Sequence, residues 1–201
     1  MTDSRPTASP PQIAFPGSAR FRALLDAAVA LGEVQAATAA LRDALQQLIA
    51  DPDARLPECV HAPLAGHYAR RELDRSPVHG YSVVAMTWGP GQGTPLHDHD
   101  GRWCVEGVWQ GQLDIVQYEL AEQAGDRFRF RVAGRSCAGP GSAGSLIPPH
   151  EYHTICNADP AGIAVSVHVY QAPLESCACF RPQEDGWFVR ESTQLAIDEA
   201  P

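Results

Sequence analysis

The sequence predicts a mainly β fold, an antiparallel jelly-roll barrel with α-helices segregated on its N-terminal side. Three observations point there. From Gly66 onward the runs YSVVAMTW, WCVEGVW, LDIVQYEL, RFRFRVA and GIAVSVHVY are short and rich in β-branched and aromatic residues, the residues that suit a pleated, packed surface. GPGQGTP, EQAGD and AGPGSAGS separate them with no helical pattern between, so neighbouring strands are joined by turns and not by crossover helices. Upstream, residues 19–50 turn to alanine and leucine without proline, and Leu41, Leu45 and Leu48 recur at helical spacing.

Taken in order, MTDSRPTASPPQIAFPGS carries too little apolar surface to offset the entropy of ordering it, which predicts a flexible tail over residues 1–18. Two helices follow, divided near Leu31-Gly32-Glu33, and a short helix or loop fills residues 56–64. The rest of the chain, 19–201, reads as one domain with its barrel over about residues 66–182. The stretch from Asp185 onward is polar, with Trp187 and Phe188 placed to pin it to the barrel.

Composition excludes several classes of function. Fifteen lysines and arginines against 24 acids, a formal net charge of −9, leave no basic footprint for nucleic acid or an anionic membrane. No charged-then-apolar leader opens the sequence and no apolar run nears the roughly 18 residues that span a bilayer, so a soluble cytoplasmic protein is expected. The six cysteines, without a leader, read as reduced thiols.

The chemistry concentrates at HDHDGRWC, residues 97–104. On a strand, alternation points His97 and His99 to one side and Asp98 to the other. Two adjacent imidazoles repel when protonated and need separate partners when buried, and a bound cation resolves both problems. Gly91, five residues, then His97-x-His99, with Gly111 closing the hairpin, resembles the first motif of the cupins, except that Cys104 stands where that motif carries glutamate. PPHEYHTICN supplies the second half-motif through His153 and Asn157. Three histidines without the glutamate leave a divalent ion its full charge, which suits ferrous iron, with zinc and a bound water as the competing possibility.

Residues 67–180 are similar to the thiol dioxygenase branch of the cupins, in particular to type I cysteine dioxygenase. The resemblance implies a non-haem iron(II) centre held by His97, His99 and His153, and a Ser-x-His-x-Tyr run supplied here by Ser166, His168 and Tyr170. It also implies a cysteine, Cys104, able to join Tyr170 through a thioether, and a Tyr-x-Arg pair, Tyr68 and Arg70, in which Arg70 grips the substrate carboxylate. Alternation along SVHVY puts Ser166, His168 and Tyr170 on one face, so the serine can orient the imidazole and the imidazole can hold the phenol. Arg71 should face away from Arg70. Cys177 also matches a family cysteine, with no role derivable from the residues.

The implied activity is oxidation of a small carboxylate-bearing thiol to its sulfinate by dioxygen. Relatives that prefer 3-mercaptopropionate often carry glutamine at the Arg70 position, so arginine leans the reading toward L-cysteine. The alternatives are 3-mercaptopropionate or mercaptosuccinate, the latter needing a second cation for which Arg102 or His150 are the nearest candidates, and, from another class, a cupin that binds metal or ligand without turnover.

Overall fold

The computed structural model describes residues 13–199. Residues 1–12 of the tail expected from the sequence lie outside that range, and the last six of it are not tail-like. Phe15 is buried edge-on against Phe21, with ring centroids 5.8 Å apart, and helix α1 (Ser18–Val29) begins within the predicted boundary. An aromatic side chain needs only a neighbouring apolar surface to be ordered, and α1 supplies it.

Helix α2 (Val34–Ala50) starts where the sequence divides the helices. The Glu33 carboxylate accepts from the backbone N–H groups of Gln35 and Ala36 at 3.1 and 2.8 Å, satisfying two of the donors a helix start leaves open. Among the described residues no helix is long and apolar enough to cross a membrane.

Eleven strands follow: β1 (Ala69–Arg75), β2 (Ser82–Trp88), β3 (Leu96–His97), β4 (Cys104–Gln110), β5 (Leu113–Ala124), β6 (Arg127–Ala138), β7 (Ala143–Leu146), β8 (His153–Asn157), β9 (Ala164–Tyr170), β10 (Ser176–Pro182) and β11 (Phe188–Gln194). They form one sheet in the order β1-β2-β9-β4-β7 and a closed ring of pairings β10-β11-β6-β5-β8-β3, with every described pairing antiparallel. This is the jelly roll with N-terminal helices that the strand grammar predicts. Two stretches depart from it. AGPGSAGS, read as punctuation, contains the start of β7, and the polar tail forms β11. Phe188 does anchor it, in a cluster with Phe128, Phe130 and Phe180, while the Arg127 and Arg129 guanidinium groups lie over the Trp187 ring at 4.7 and 4.4 Å from its centroid.

The first sheet is covered on both faces, which explains why β9 is buried along its whole length. Val165, Val167 and Val169 pack outward with Leu41, Leu45 and Leu48 of α2, whereas Ala164 and Tyr170 belong to the inner cluster with Trp88, Cys104 and Leu113. Period-2 alternation thus sorts a strand of unbroken burial into two cores. Gly107 on β4 permits the close approach of α2, since a Cβ there would sit 2.9 Å from Ile49 Cδ1. The helices cover the sheet's outer face and leave its inner face to build a site.

Candidate active site

His97 and His153 are cross-strand partners in β3 and β8. His99 is not on the strand, because β3 ends at His97. Alternation therefore names the right residue for the wrong reason. The chain beyond β3 is tied to β10 by Asp98 N–H donating to the Ala178 carbonyl and Ala178 N–H donating to the Asp98 carboxylate, at 3.0 and 2.8 Å. It then turns inward, and the His99 N–H donates to the Glu151 carboxylate at 3.1 Å. The result is a cluster in which one ring nitrogen from each of His97, His99 and His153 lies within 4.8 Å of the others.

The three rings suit a metal ion. His97 Nδ1 and His153 Nδ1 face the backbone carbonyls of Pro95 and Glu151 at 3.0 and 2.9 Å, which assigns the proton to Nδ1 and leaves Nε2 with its lone pair. Burial, followed by the neighbouring imidazoles, holds His99 and His153 well below the usual imidazolium range, and burial also lowers His97. Nδ1 of His99 is buried with no hydrogen-bond partner among the described residues. Three neutral, converging imidazoles with one orphaned nitrogen are costly for an empty core and well matched to a divalent cation.

The cluster opens into a cavity of about 380 Å³ whose walls include Met86, Ile155, Leu174, Phe180 and Leu195. Arg70 and Tyr68 line it as well. The Arg70 guanidinium is buried, with Nη1 donating to the Ala196 carbonyl at 3.0 Å, Nη2 to the Leu174 carbonyl at 3.4 Å, and Nε unpaired. Tyr68 stacks on Trp88 at 4.5 Å between centroids. Arg71 does face the other way, but it is no surface residue. It is buried, donating to the Ala62 carbonyl at 2.8 Å and to Thr87 Oγ1 at 3.3 Å. Neither Arg102 nor His150 reaches this cavity: Arg102 pairs with Asp100, and His150 lines a separate hollow beside Pro148 and Pro149.

Ser166, His168 and Tyr170 share the inner face of β9. Trp88 Nε1–H donates to Ser166 Oγ at 2.9 Å, and Ser166 Oγ lies 2.8 Å from His168 Nε2. The expected second link, imidazole to phenol, takes another form. The rings of His168 and Tyr170 lie 6.0 Å apart with planes 16° from parallel, as residues two apart on a strand project side by side. Burial brings His168 down to about 3 and holds the Tyr170 phenol well above its ordinary range, with Cys104 adding to the latter, so both groups are neutral at physiological pH. Cys104 is paired directly with Tyr170 across β4 and β9, and burial keeps its thiol protonated.

Three residues of the site escape the sequence reading. Glu151 braces the His99 backbone, Glu106 stands opposite His168, and Cys179 on β10 lines the cavity beside Cys177. Period 2 held the signal for Glu106: once Cys104 points inward, so must the residue two further on.

A family model described as cysteine dioxygenase type I matches residues 17–183. Among curated relatives, cysteine dioxygenase type 1 of Danio rerio is 27% identical over 103 residues, covering 50% of this chain and 49% of that protein. The Homo sapiens protein of the same description is 24% identical over 104 residues, with the same coverage. The chain spans about half the length of these relatives. A solved structure of a conserved protein with a double-stranded β-helix domain from Klebsiella pneumoniae is 18% identical, covering 70% of this chain and 94% of that one, with a TM-score of 0.45.

Proposed function

The chain belongs to the cysteine dioxygenase type I family, and from that membership we propose that it is a non-haem iron(II) thiol dioxygenase. Its substrate in this reading is a small thiol bearing a carboxylate, L-cysteine before 3-mercaptopropionate or mercaptosuccinate. The observation that carries the proposal is the pairing, in one mostly apolar cavity, of the three-histidine cluster with the buried guanidinium of Arg70.

Iron(II) held by His97, His99 and His153 would supply the electron exchange that lets dioxygen react with a thiolate. The overall change balances as RS⁻ + O2 → RSO2⁻, with no further reductant. The protein's part is orientation and charge. Arg70 offers its free Nε and the adjacent Nη hydrogens to a carboxylate, and in a cavity walled by Met86, Ile155 and Leu174 that charge-assisted contact fixes the substrate more firmly than it would in water. The phenol of Tyr170 keeps its proton and can donate it as a hydrogen bond at the sulfur or at the developing sulfinate oxygen. The apolar walls keep out water that would compete for both contacts.

One buried cation favours a substrate with one carboxylate. Mercaptosuccinate would have to recruit Arg181, which lines the cavity but is exposed and paired with Glu191. The deciding experiment is oxygen uptake by the iron-loaded chain against cysteine, 3-mercaptopropionate and mercaptosuccinate, with the sulfinate identified by mass. Uptake with cysteine at the highest efficiency is expected. Stoichiometric metal binding with no uptake for any thiol would assign the chain to the non-catalytic cupins.

A further inference from the structure

Glu106 on β4 is the direct cross-strand partner of His168 on β9, and both point into the barrel. Its Oε2 lies 3.4 Å from His168 Nδ1, without hydrogen-bond geometry, and is buried with no hydrogen-bond partner among the described residues. A carboxylate so placed is expensive unless it receives a proton from somewhere.

The hydrogen-bond chain on the other side of the ring supplies the proton. An indole nitrogen only donates, so Trp88 uses one lone pair of Ser166 Oγ. Among the described residues the one acceptor offered to the Ser166 hydroxyl hydrogen is His168 Nε2, at 2.8 Å. With Nε2 accepting, the proton of the neutral imidazole must sit on Nδ1, and Nδ1 points at Glu106 and, more distantly, at Cys104 Sγ, 4.0 Å away. Trp88, Ser166, His168 and Glu106 thus form one polarised series.

A second cavity, of about 210 Å³, lies against the far end of that series. Buried Glu106 and Ser166 line it together with Gln117, Ser136 and Cys137, which are exposed to solvent. Glu106 and Ser166 do not line the cavity that holds the three histidines, while Trp88 and His168 do. The series runs from one cavity to the other along the inner face of the first sheet.

We propose that Glu106 is a positioning residue that takes the Nδ1–H of His168, in the tautomer the Ser166 hydroxyl sets, and exchanges protons with solvent through the second cavity, apart from the route the substrate takes. Two independent features support it beyond the contact itself. Burial raises the Glu106 carboxyl to about 7, so it changes charge at physiological pH. The titratable groups around it leave it that role alone: His168 and Tyr170 face it from β9 and Cys104 from its own strand, all held neutral by burial, and the second cavity adds only Cys137.

The catalytic half of this inference rests on the dioxygenase reading; the tautomer half does not. Nitrogen-15 NMR of the full chain, loaded with zinc to keep it diamagnetic, should show the His168 proton on Nδ1 in the native protein and in Glu106→Gln, whose amide oxygen still accepts. In Glu106→Leu that resonance should move, because the acceptor is gone. A proton on Nε2 in the native protein, or a Glu106→Leu spectrum unchanged at His168, overturns the assignment. With iron and cysteine, Glu106→Gln should lower kcat about tenfold, leave KM within about threefold because Arg70 is untouched, and abolish an inflection of kcat near pH 7. A native pH profile in Glu106→Gln overturns the proton route. Should the native iron-loaded chain consume no oxygen with any thiol, the dioxygenase reading fails, and the NMR result still decides the placement of the proton.

Discussion

Cys104 on β4 and Tyr170 on β9 are directly opposed in the antiparallel register, and both side chains belong to the inner cluster. Opposed residues of such a pair have Cβ atoms only about 4.5–5.5 Å apart, so the sulfur reaches the phenol ring without backbone movement. Active protein should therefore yield a peptide joining Cys104 to Tyr170 that is lighter by one pair of hydrogen atoms, absent from Cys104→Ser. Because the link positions the phenol without creating it, Cys104→Ser should keep partial activity while Tyr170→Phe loses on the order of 10²-fold. Tandem mass spectrometry after many turnovers that finds Cys104 wholly as free thiol would rule the link out.

Metal content should depend on Glu151 as well as on the three histidines. Replacing His97, His99 or His153 by alanine should strip the metal, and Glu151→Ala, which frees the His99 backbone, should weaken affinity by about 10- to 100-fold. Elemental analysis after dialysis against a chelator of graded strength measures this. Native retention in Glu151→Ala would show that the loop holds itself.

The two neighbouring arginines should fail in different ways. Arg70→Gln removes a charged fork from the cavity and should cost about 1.5–3 kcal/mol in kcat/KM for cysteine, or about 10- to 150-fold. Arg71→Gln leaves the Ala62 carbonyl without its donor and should cost about 1–3 kcal/mol of stability with KM unchanged. Denaturant midpoints and steady-state kinetics on both variants separate the two losses. Equal effects on KM would mean that both guanidinium groups reach the substrate.

Stability should fall as pH rises through the range set by Glu106. Its carboxyl titrates at about 7 when folded against an ordinary 4.5, so the folded chain holds a proton that the unfolded chain releases. That contribution is complete below about 4.5 and lost by about 7, a change of up to ~3 kcal/mol. Glu106→Gln carries no such proton and should show a flatter melting temperature over the same range. Parallel curves for the two proteins would count against a buried, titrating Glu106.

Much of this was written where period 2 writes clearly. SVHVY divides into Val167 and Val169 outward and Ser166, His168 and Tyr170 inward because both faces of β9 are filled. Alternation could not reveal that β3 stops at His97, since the tie from Asp98 to Ala178 joins residues 80 apart. Nor could it show that Arg71 is buried, which depends on the short turn at Glu58–His61 and the carbonyl just beyond it. The strand β11 was hidden by its own polarity: FVRESTQ lies half in solvent, and a sequence with little to bury advertises little.

Arg70 owes its setting to residues made long after it. Its backbone N–H donates to the Asp198 carboxylate, the Asp198 N–H returns to the Arg70 carbonyl at 2.7 Å, and Ala196 takes a guanidinium hydrogen, across separations of 128 and 126 residues. A ribosome will have released β1, the barrel interior and all three histidines before these contacts can form. The setting of Arg70 is thus completed only after the barrel strands have been made, and a nascent chain arrested before Ala196 would present its three histidines while Arg70 still lacks the partners that hold it in place.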